Sequence, residues 1–254
     1  MIAELRARRR QIDQDVRAAS ARRYLSPAFY GQYLAVAAAF RSLRGRVIDL
    51  GCGIMPYAEL LPPAVTLYHG LDITVRDSRP TLIGDVQSLG MLRDAAYDSV
   101  VCLEVLEHVP DPAHALEEIA RILTDDGVLV LSVPHLSRLH EVPHDYYRYT
   151  EYGLDYLLRR SGLEIEMLQT RGGLFSFLGH QAATVLLGLA WGSSGIGAAV
   201  RWLNRWLLTY PCYGLDKIGA QQKLFPLGYV LVARRARRAR ARPAGIVGPR
   251  EDRL

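Results

Sequence analysis

Three acids and two glycines are spaced along this chain as a ligand cradle would need them. Asp49 lies in the apolar stretch "VIDL", which stops at Gly51, Cys52 and Gly53. Asp72 follows 21 residues after Gly51, and Asp85 stands in "IGDVQSL" with Val86 beside it. Glycines at the end of a strand permit a sharp turn and put no Cβ in the way of a ligand. Asp49 can accept bonds from the turn's amides or from a cationic ligand group. Asp72 can take both hydroxyls of a ribose. Asp85 can accept the exocyclic amine of an adenine while Val86 donates a backbone N–H to the ring. A second group of reactive side chains lies downstream. Glu107 and His108 stand in "EVLEHVP", and His135, His140, His144, Asp145, Tyr146, Tyr147 and Arg148 in "PHLSRLHEVPHDYYRYT". An imidazole can take a proton from a hydroxyl near neutral pH. His144 is the first candidate for such a base, with His140 and His108 next. The competing reading is structural: His108 braces its own loop, and "HDYYRYT" locks a lid.

The glycine turn narrows the ligand. A dinucleotide fingerprint wants G-x-G-x-x-G, but the third position is Pro56. A pyrophosphate also gains nothing from a carboxylate at Asp49. Both points count against a nicotinamide oxidoreductase and favour a nucleoside without phosphates. Acids at three successive strand ends suit a ligand that is cationic and carries a ribose, such as S-adenosylmethionine.

The elements that must position these residues alternate. "RVIDL", "VTLYHGLDI", "YDSVVCLEVL", "DDGVLVLSVP", "LEIEMLQT" and "GYVLVARR" read as strands, with one more short strand before Asp85. "SPAFYGQYLAVAAAFRSL" predicts a helix with Ser26 as N-cap and Pro27 at its first position. "DPAHALEEIARIL" places Ala115, Ile119 and Leu123 on one helical face. "TEYGLDYLLRRSG" predicts a helix between Thr150 as N-cap and Gly162 as stop. The glycine turn is expected to run directly into a helix. Such alternation predicts an α/β fold with a doubly wound, mostly parallel sheet.

The segments "VIDLGCG", "GLDI", "GDV", "YDSVVCLEVLEHVPDP" and "LTDDGVLVLSVP", from about Arg46 to Pro134, resemble the class I, Rossmann-like S-adenosylmethionine-dependent methyltransferases. "TEYGLDYLLRRSGLEIE" continues the likeness more loosely. The resemblance implies a seven-stranded sheet whose last strand is antiparallel, with helices on both faces. It also implies roles. Gly51 and Gly53 would pack under the cofactor, Asp49 would orient its amino acid end, Asp72 would hold the ribose, and Asp85 and Val86 the adenine. Glu104 would line the methionine side. Glu104, Glu107 and His108 also form an E-x-x-E-H pattern, which some quinone O-methyltransferases with similar loops are thought to use for magnesium. "LEHVPDP" is widespread in the fold without a metal, and no metal is expected here.

The expected organisation is an N-terminal helical segment over 1–45, a methyltransferase domain over 46–233, and a basic disordered tail over 234–254. The domain carries an apolar helical insertion over 174–222, before the last strand. The tail holds eight arginines against Glu251 and Asp252, a net charge of +6 out of +5 for the whole chain, so the first 233 residues sum to −1. It reads as a solvated extension; nucleic acid is not its expected partner. "LFSFLGHQAATVLLGLAWG" is near the lower length limit for a membrane span, but a crossing there would put two strands of one sheet on opposite sides of a bilayer. "AAVRWLNRWLLTYPCYG" mixes Trp202 and Trp206 with Arg201 and Arg205, as helices lying on membranes do. A helical cap, a dimer face and peripheral membrane contact through 174–210 are the readings of this region. Cys52, Cys102 and Cys212 show no C-x-x-C spacing and suggest neither a disulfide framework nor a zinc site. No signal-peptide core follows the first arginines, so a cytoplasmic protein, peripheral to the inner face of a membrane, is expected. The functional expectation is O-methylation of a small, lipid-linked or glycan-type acceptor. The alternative is a non-catalytic, cofactor-binding scaffold or regulator on the same fold.

Overall fold

Strand alternation organises the core. Val47, Val101, Val128, Val130, Val230 and Val232 point to one face of the sheet. Ile48, Leu50, Val100, Cys102, Leu129, Leu131 and Leu231 point to the other. Both faces are apolar because both are covered, as in any sheet with helices on two sides. A computed structural model describes residues 11–12, 15–16, 18–75, 80–191, 194–218 and 221–236, with only the backbone of 194, 195 and 221.

Helix α1 (Pro27–Phe40) covers the valine face with Ala35, Val36, Ala39 and Phe40. It begins as its sequence predicts: the Ser26 side chain accepts from the Phe29 N–H, and Pro27 sits in the first turn. Strands β1 (Gly45–Leu50), β2 (Val65–Asp72), β3 (Leu82–Ile83) and β4 (Tyr97–Leu103) follow. Helix α2 (Pro112–Ile122) runs into β5 (Leu123–Pro134), and α3 (Glu151–Arg160), capped by Thr150, into β6 (Leu163–Arg171). Helices α2 and α3 cover the second face through Leu116, Ile119, Leu154 and Leu158. After the helical excursion, β7 (Gly228–Arg235) completes a seven-stranded sheet of order β3-β2-β1-β4-β5-β7-β6. Strand β7 is antiparallel to both of its neighbours. The order reverses between β1 and β4, which is where open α/β sheets bind ligands.

Two expectations need correction. The glycine turn does not enter an α-helix. Only one 3-10 turn, Ala58–Leu60, separates it from β2. Pro56 lacks an N–H, and Pro62 and Pro63 end the segment before a helix could grow. In place of that helix, Tyr57, Leu60 and Leu61 pack on the valine face, and Ser20 bonds Glu59 through its N–H at 2.6 Å and its hydroxyl at 2.8 Å. The second concerns the tail. Arg234 and Arg235 belong to β7, pairing with Glu166 and the Leu123 carbonyl. Residues 237–254, the rest of that tail, lie outside the described residues.

The excursion is helical. It comprises α4 (Leu174–Ala190), α5 (Ser194–Leu203), a π-helical stretch Asn204–Thr209 and α6 (Tyr210–Asp216). It leaves the sheet at the end of β6 and returns at the start of the antiparallel β7, so it rises from the carboxyl edge. Helix α4 turns small residues inward: Ser176, Gly179 and Ala183 are buried. A Cβ on Gly179 would come within 2.7 Å of the Cys212 sulfur and 3.0 Å of Pro27, so α1, α4 and α6 touch there. Among the described residues no helix is long and apolar enough to cross a membrane.

Asp216 ties this excursion together. Its buried carboxylate accepts from the N–H groups of Gly173 (2.8 Å), Phe175 (2.8 Å) and Ser176 (2.9 Å), capping α4 from 40 residues away. Asp216→Ala leaves these donors without an acceptor. It should cost about 2–4 kcal/mol and lower the thermal midpoint by roughly 5–10 °C. Differential scanning calorimetry reads this directly; an unchanged midpoint would mean that water replaces the cap.

Candidate active site at the carboxyl edge

The glycine turn is held from β2. The Leu71 carbonyl accepts from both Gly51 N–H (2.8 Å) and Cys52 N–H (3.1 Å), and Asp72 Oδ2 accepts from Gly53 N–H at 2.9 Å. Gly51 and Gly53 have φ of +66° and +50°, a conformation that side chains resist. The two serve different needs. A Cβ on Gly51 would lie 2.4 Å from Val105, so Gly51 makes room for the β4 loop. A Cβ on Gly53 would meet no protein atom within 4 Å, so the space beside its α-carbon is open at the strand switch point.

Asp49 is buried and accepts from the Tyr68 hydroxyl at 2.6 Å. Burial, with a smaller push from Asp72, raises its pKa to about 7 despite that bond. A cation placed beside it would restore the charged form. Burial also lifts the Cys52 thiol to about 12, which removes it as a nucleophile. Asp85 is half-buried and already engaged: Gln87 reaches it with its N–H (2.9 Å) and side-chain amide (3.2 Å). Val86 is buried against the core beside it.

Glu104 carries a positive φ of +56° at the end of β4. Its carboxylate accepts from Ser132 Oγ (2.8 Å) and from Arg171 (2.6 Å); Arg171 also donates to Gln32, which donates to Ser132 at 3.2 Å. This closed ring joins α1, β5 and β6 to the β4 edge. It ties Glu104, expected to line the cofactor's methionine side, to Arg171. Tyr68, Gln32, Ser132 and Arg171 were not among the sequence candidates. Arg171 alone had a signal, as a charged residue ending a strand. Gln32 lies in the middle of a helix, with nothing in its spacing to mark it.

The histidines separate. His108 and His140 face one another, ring centroids 4.7 Å apart at 81°, and each places Nε2 3.7 Å from Glu107 Oε1. Glu107 is fully buried, and burial pushes its carboxyl pKa up; the same carboxylate pulls that of His140 up. His144 is exposed, its ring against the Tyr146 hydroxyl at 3.1 Å, and its carbonyl accepts from His108 Nδ1. His135 bonds the Tyr149 carbonyl at 2.8 Å. "HDYYRYT" does act as a clamp. Tyr146 and Tyr147 N–H groups donate to the Glu107 carbonyl, Tyr147 Oη to Pro110 (2.9 Å) and Tyr149 Oη to Leu106 (2.9 Å). Asp145, held at a pKa of about 2 by Arg148, accepts the His140 N–H at 2.8 Å and so fixes His140 in place. A separate depression of about 420 Å³, lined by Arg44, Gly45, Asp98, Thr124, Asp125 and Asp126, opens at the opposite edge of the sheet, away from these groups.

Comparison with known proteins points to a family and a fold. A family model described as a methyltransferase domain matches residues 19–188. A ubiquinone biosynthesis O-methyltransferase of Xanthomonas oryzae pv. oryzae is 34% identical over 103 residues, covering 34% of this chain and 42% of that protein. The enzyme of the same name from Nitrosomonas europaea is 29% identical over 126 residues, covering 44% of this chain and 51% of that protein. The matches thus span about half or less of the length of these curated relatives. Among solved structures, a SAM-dependent methyltransferase from Archaeoglobus fulgidus superposes with a TM-score of 0.54 at 18% identity, covering 88% of this chain and 98% of that one. The cyclase SpnF gives a TM-score of 0.54 at 20% identity, covering 81% of each chain. At these identities the likeness is one of fold.

The cradle makes two predictions for calorimetry with S-adenosylmethionine. Asp72→Ala removes the Gly53 anchor and the carboxylate expected to accept from a ribose, and should weaken binding by about 1.5–3 kcal/mol; undiminished affinity would displace the pocket from this turn. Asp49 is expected to set the pH response. Its proton leaves near pH 7, so affinity for the cationic ligand should rise from pH 6 toward about pH 7.5, above which the ligand's own amino group begins to lose its proton. Asp49→Asn should flatten the rise. A flat wild-type profile would exclude Asp49 from the contact.

Proposed function

Since the chain belongs to the methyltransferase-domain family, we propose that it transfers the methyl group of S-adenosylmethionine to an oxygen of a small, lipid-linked or glycan-type acceptor. The observation that carries the cofactor half is the glycine turn, open beside the Gly53 α-carbon and flanked by Asp49 and Asp72. Asp72 would hold the ribose, Asp49 the amino acid end, and Asp85 and Val86 the adenine. Glu104, tied to Arg171, would border the methionine without being its charge partner.

The reaction is an in-line displacement. The acceptor oxygen forms a bond to the methyl carbon as the carbon–sulfur bond breaks, and the electron pair stays on sulfur, neutralising the sulfonium. The cofactor supplies the driving force, and the protein supplies alignment. A hydroxyl acceptor must also lose a proton. Glu107, His108 and His140 are the groups suited to handle it, with His144 positioning His108 through its carbonyl. That cluster favours oxygen over acceptors that need no deprotonation. The names of the curated relatives support the same choice.

The excursion supports an acceptor presented at a membrane surface. It rises from the edge that holds the site, and Trp202, Trp206 and Leu207 are 63%, 50% and 64% exposed. Arg201 lies over Trp191, and Arg205 over Tyr24, Trp206 and Tyr210, placing cationic groups among the rings. Amphipathic helices of this kind lie in the plane of an anionic membrane.

The direct test supplies methyl-labelled S-adenosylmethionine with lipid and glycan fractions of a membrane extract. Label should enter an alkali-stable product, as an ether requires. E107Q should lower kcat by about a hundredfold or more while leaving cofactor affinity within roughly twofold. Cofactor binding with no transfer to any fraction would favour the scaffold reading. For the membrane surface, the Trp202→Ala, Trp206→Ala double variant should lose most of its co-sedimentation with anionic vesicles. Equal recovery would leave this face to another role.

A further inference from the structure

Glu107 is a buried carboxylate with neither oxygen in a hydrogen bond. Such a group normally finds partners, because leaving it bare costs several kilocalories. Its neighbours are the two imidazoles, but at 3.7 Å they are too far to donate to it.

The backbone decides which imidazole nitrogens are available. His108 Nδ1 meets the His144 carbonyl, and His140 Nδ1 meets the Arg138 carbonyl at 3.3 Å and Asp145 at 3.5 Å. A carbonyl accepts only, so each Nδ1 carries the hydrogen. In the neutral ring this leaves a lone pair on each Nε2. Both lone pairs then converge on the unpartnered Glu107 oxygen, and the three ligand atoms lie within 4.8 Å of one another. Three electron-rich atoms facing one another repel unless a proton or a metal cation lies among them. Histidine ligands oriented through Nδ1–H to carbonyl bonds are how proteins build such sites.

We propose that Glu107, His108 and His140 form a binding site for one divalent transition-metal cation of the Zn²⁺ and Co²⁺ type. Bonds of about 2.1 Å to two ligands at a tetrahedral angle put those ligands roughly 3.4 Å apart, so each Glu107–imidazole separation must close by a few tenths of an ångström and the imidazole pair, within 4.8 Å, by about 1.4 Å at most. Two imidazoles and one carboxylate select this class over magnesium or calcium, which prefer all-oxygen shells. The partial exposure of His108 (20%) and His140 (32%) leaves an entry path and coordination positions open to water or an acceptor hydroxyl. Glu104 is not a ligand: Ser132 and Arg171 occupy its oxygens, so the E-x-x-E-H triplet does not converge. The third ligand comes from the 135–149 segment, anchored by Asp145 and Arg148. A cation here would lower the pKa of a bound hydroxyl and so replace the imidazoles as the means of removing the acceptor's proton. The site itself does not depend on the methyl-transfer reading.

Co²⁺ titrated into the chelator-treated full chain tests the proposal, by calorimetry and by visible ligand-field absorption. One equivalent should bind with ligand-field bands. H140A and E107Q should each weaken binding at least tenfold, and E104Q should leave it unchanged. S-adenosylmethionine binding by each variant checks that it is folded, and its loss in the wild type would defeat the methyltransferase reading without touching this one. No Co²⁺ binding, binding indifferent to H140A, or binding that requires Glu104 would each overturn the site.

Discussion

One carbonyl oxygen carries the geometry on which the site depends. Leu71 O accepts from both Gly51 and Cys52 N–H, and the next residue, Asp72, accepts from Gly53. The turn is therefore pinned to the end of β2 and moves with it. That pinning requires β1 and β2 to pair in one register, with Leu50 opposite Leu71. A one-residue slip would exchange the two faces of one strand and carry the Leu71 carbonyl away from the turn's amides. The hydrophobic pattern that builds the sheet is thus what fixes the left-handed turn, and the turn leaves the space beside the Gly53 α-carbon open near two acids.

A second constraint acts on the other side of the edge. The β4 loop, from Glu104 to Pro110, would be a bare strand-end loop without help. The 140–149 segment wraps it through main-chain and tyrosine hydroxyl bonds, and Asp145 with Arg148 stiffens the wrap. Stiffness has a chemical consequence. It holds Glu107 out of water and sets two imidazoles against it, a costly arrangement that a merely structural loop would relax.

The excursion before β7 departs from a minimal sheet of this kind, and its inner side explains why it stays. Small residues on α4 let α1 and α6 approach closely, and Asp216 satisfies the amides that begin α4. Its outer side exposes large apolar groups, Leu178, Trp202 and Leu207 among them. That outer face rises from the same carboxyl edge as the glycine turn.

By itself the sequence determined the α/β alternation, the strand carrying Asp49, the N-caps Ser26 and Thr150, and the cluster of acids and glycines at strand ends. These follow from local rules: period-two and helical spacing, cap chemistry, and the freedom of glycine. The sequence also held the reason for a 3-10 turn where a helix was expected, since three prolines limit what the eleven residues between Gly53 and Val65 can build. Tertiary structure alone decided the rest. It bound Glu104 to Arg171, 67 residues away, and brought His140, 33 residues past Glu107, against that carboxylate while sending His144 to the surface. No local pattern encodes such meetings, since they depend on which loops the order of strands brings to one edge.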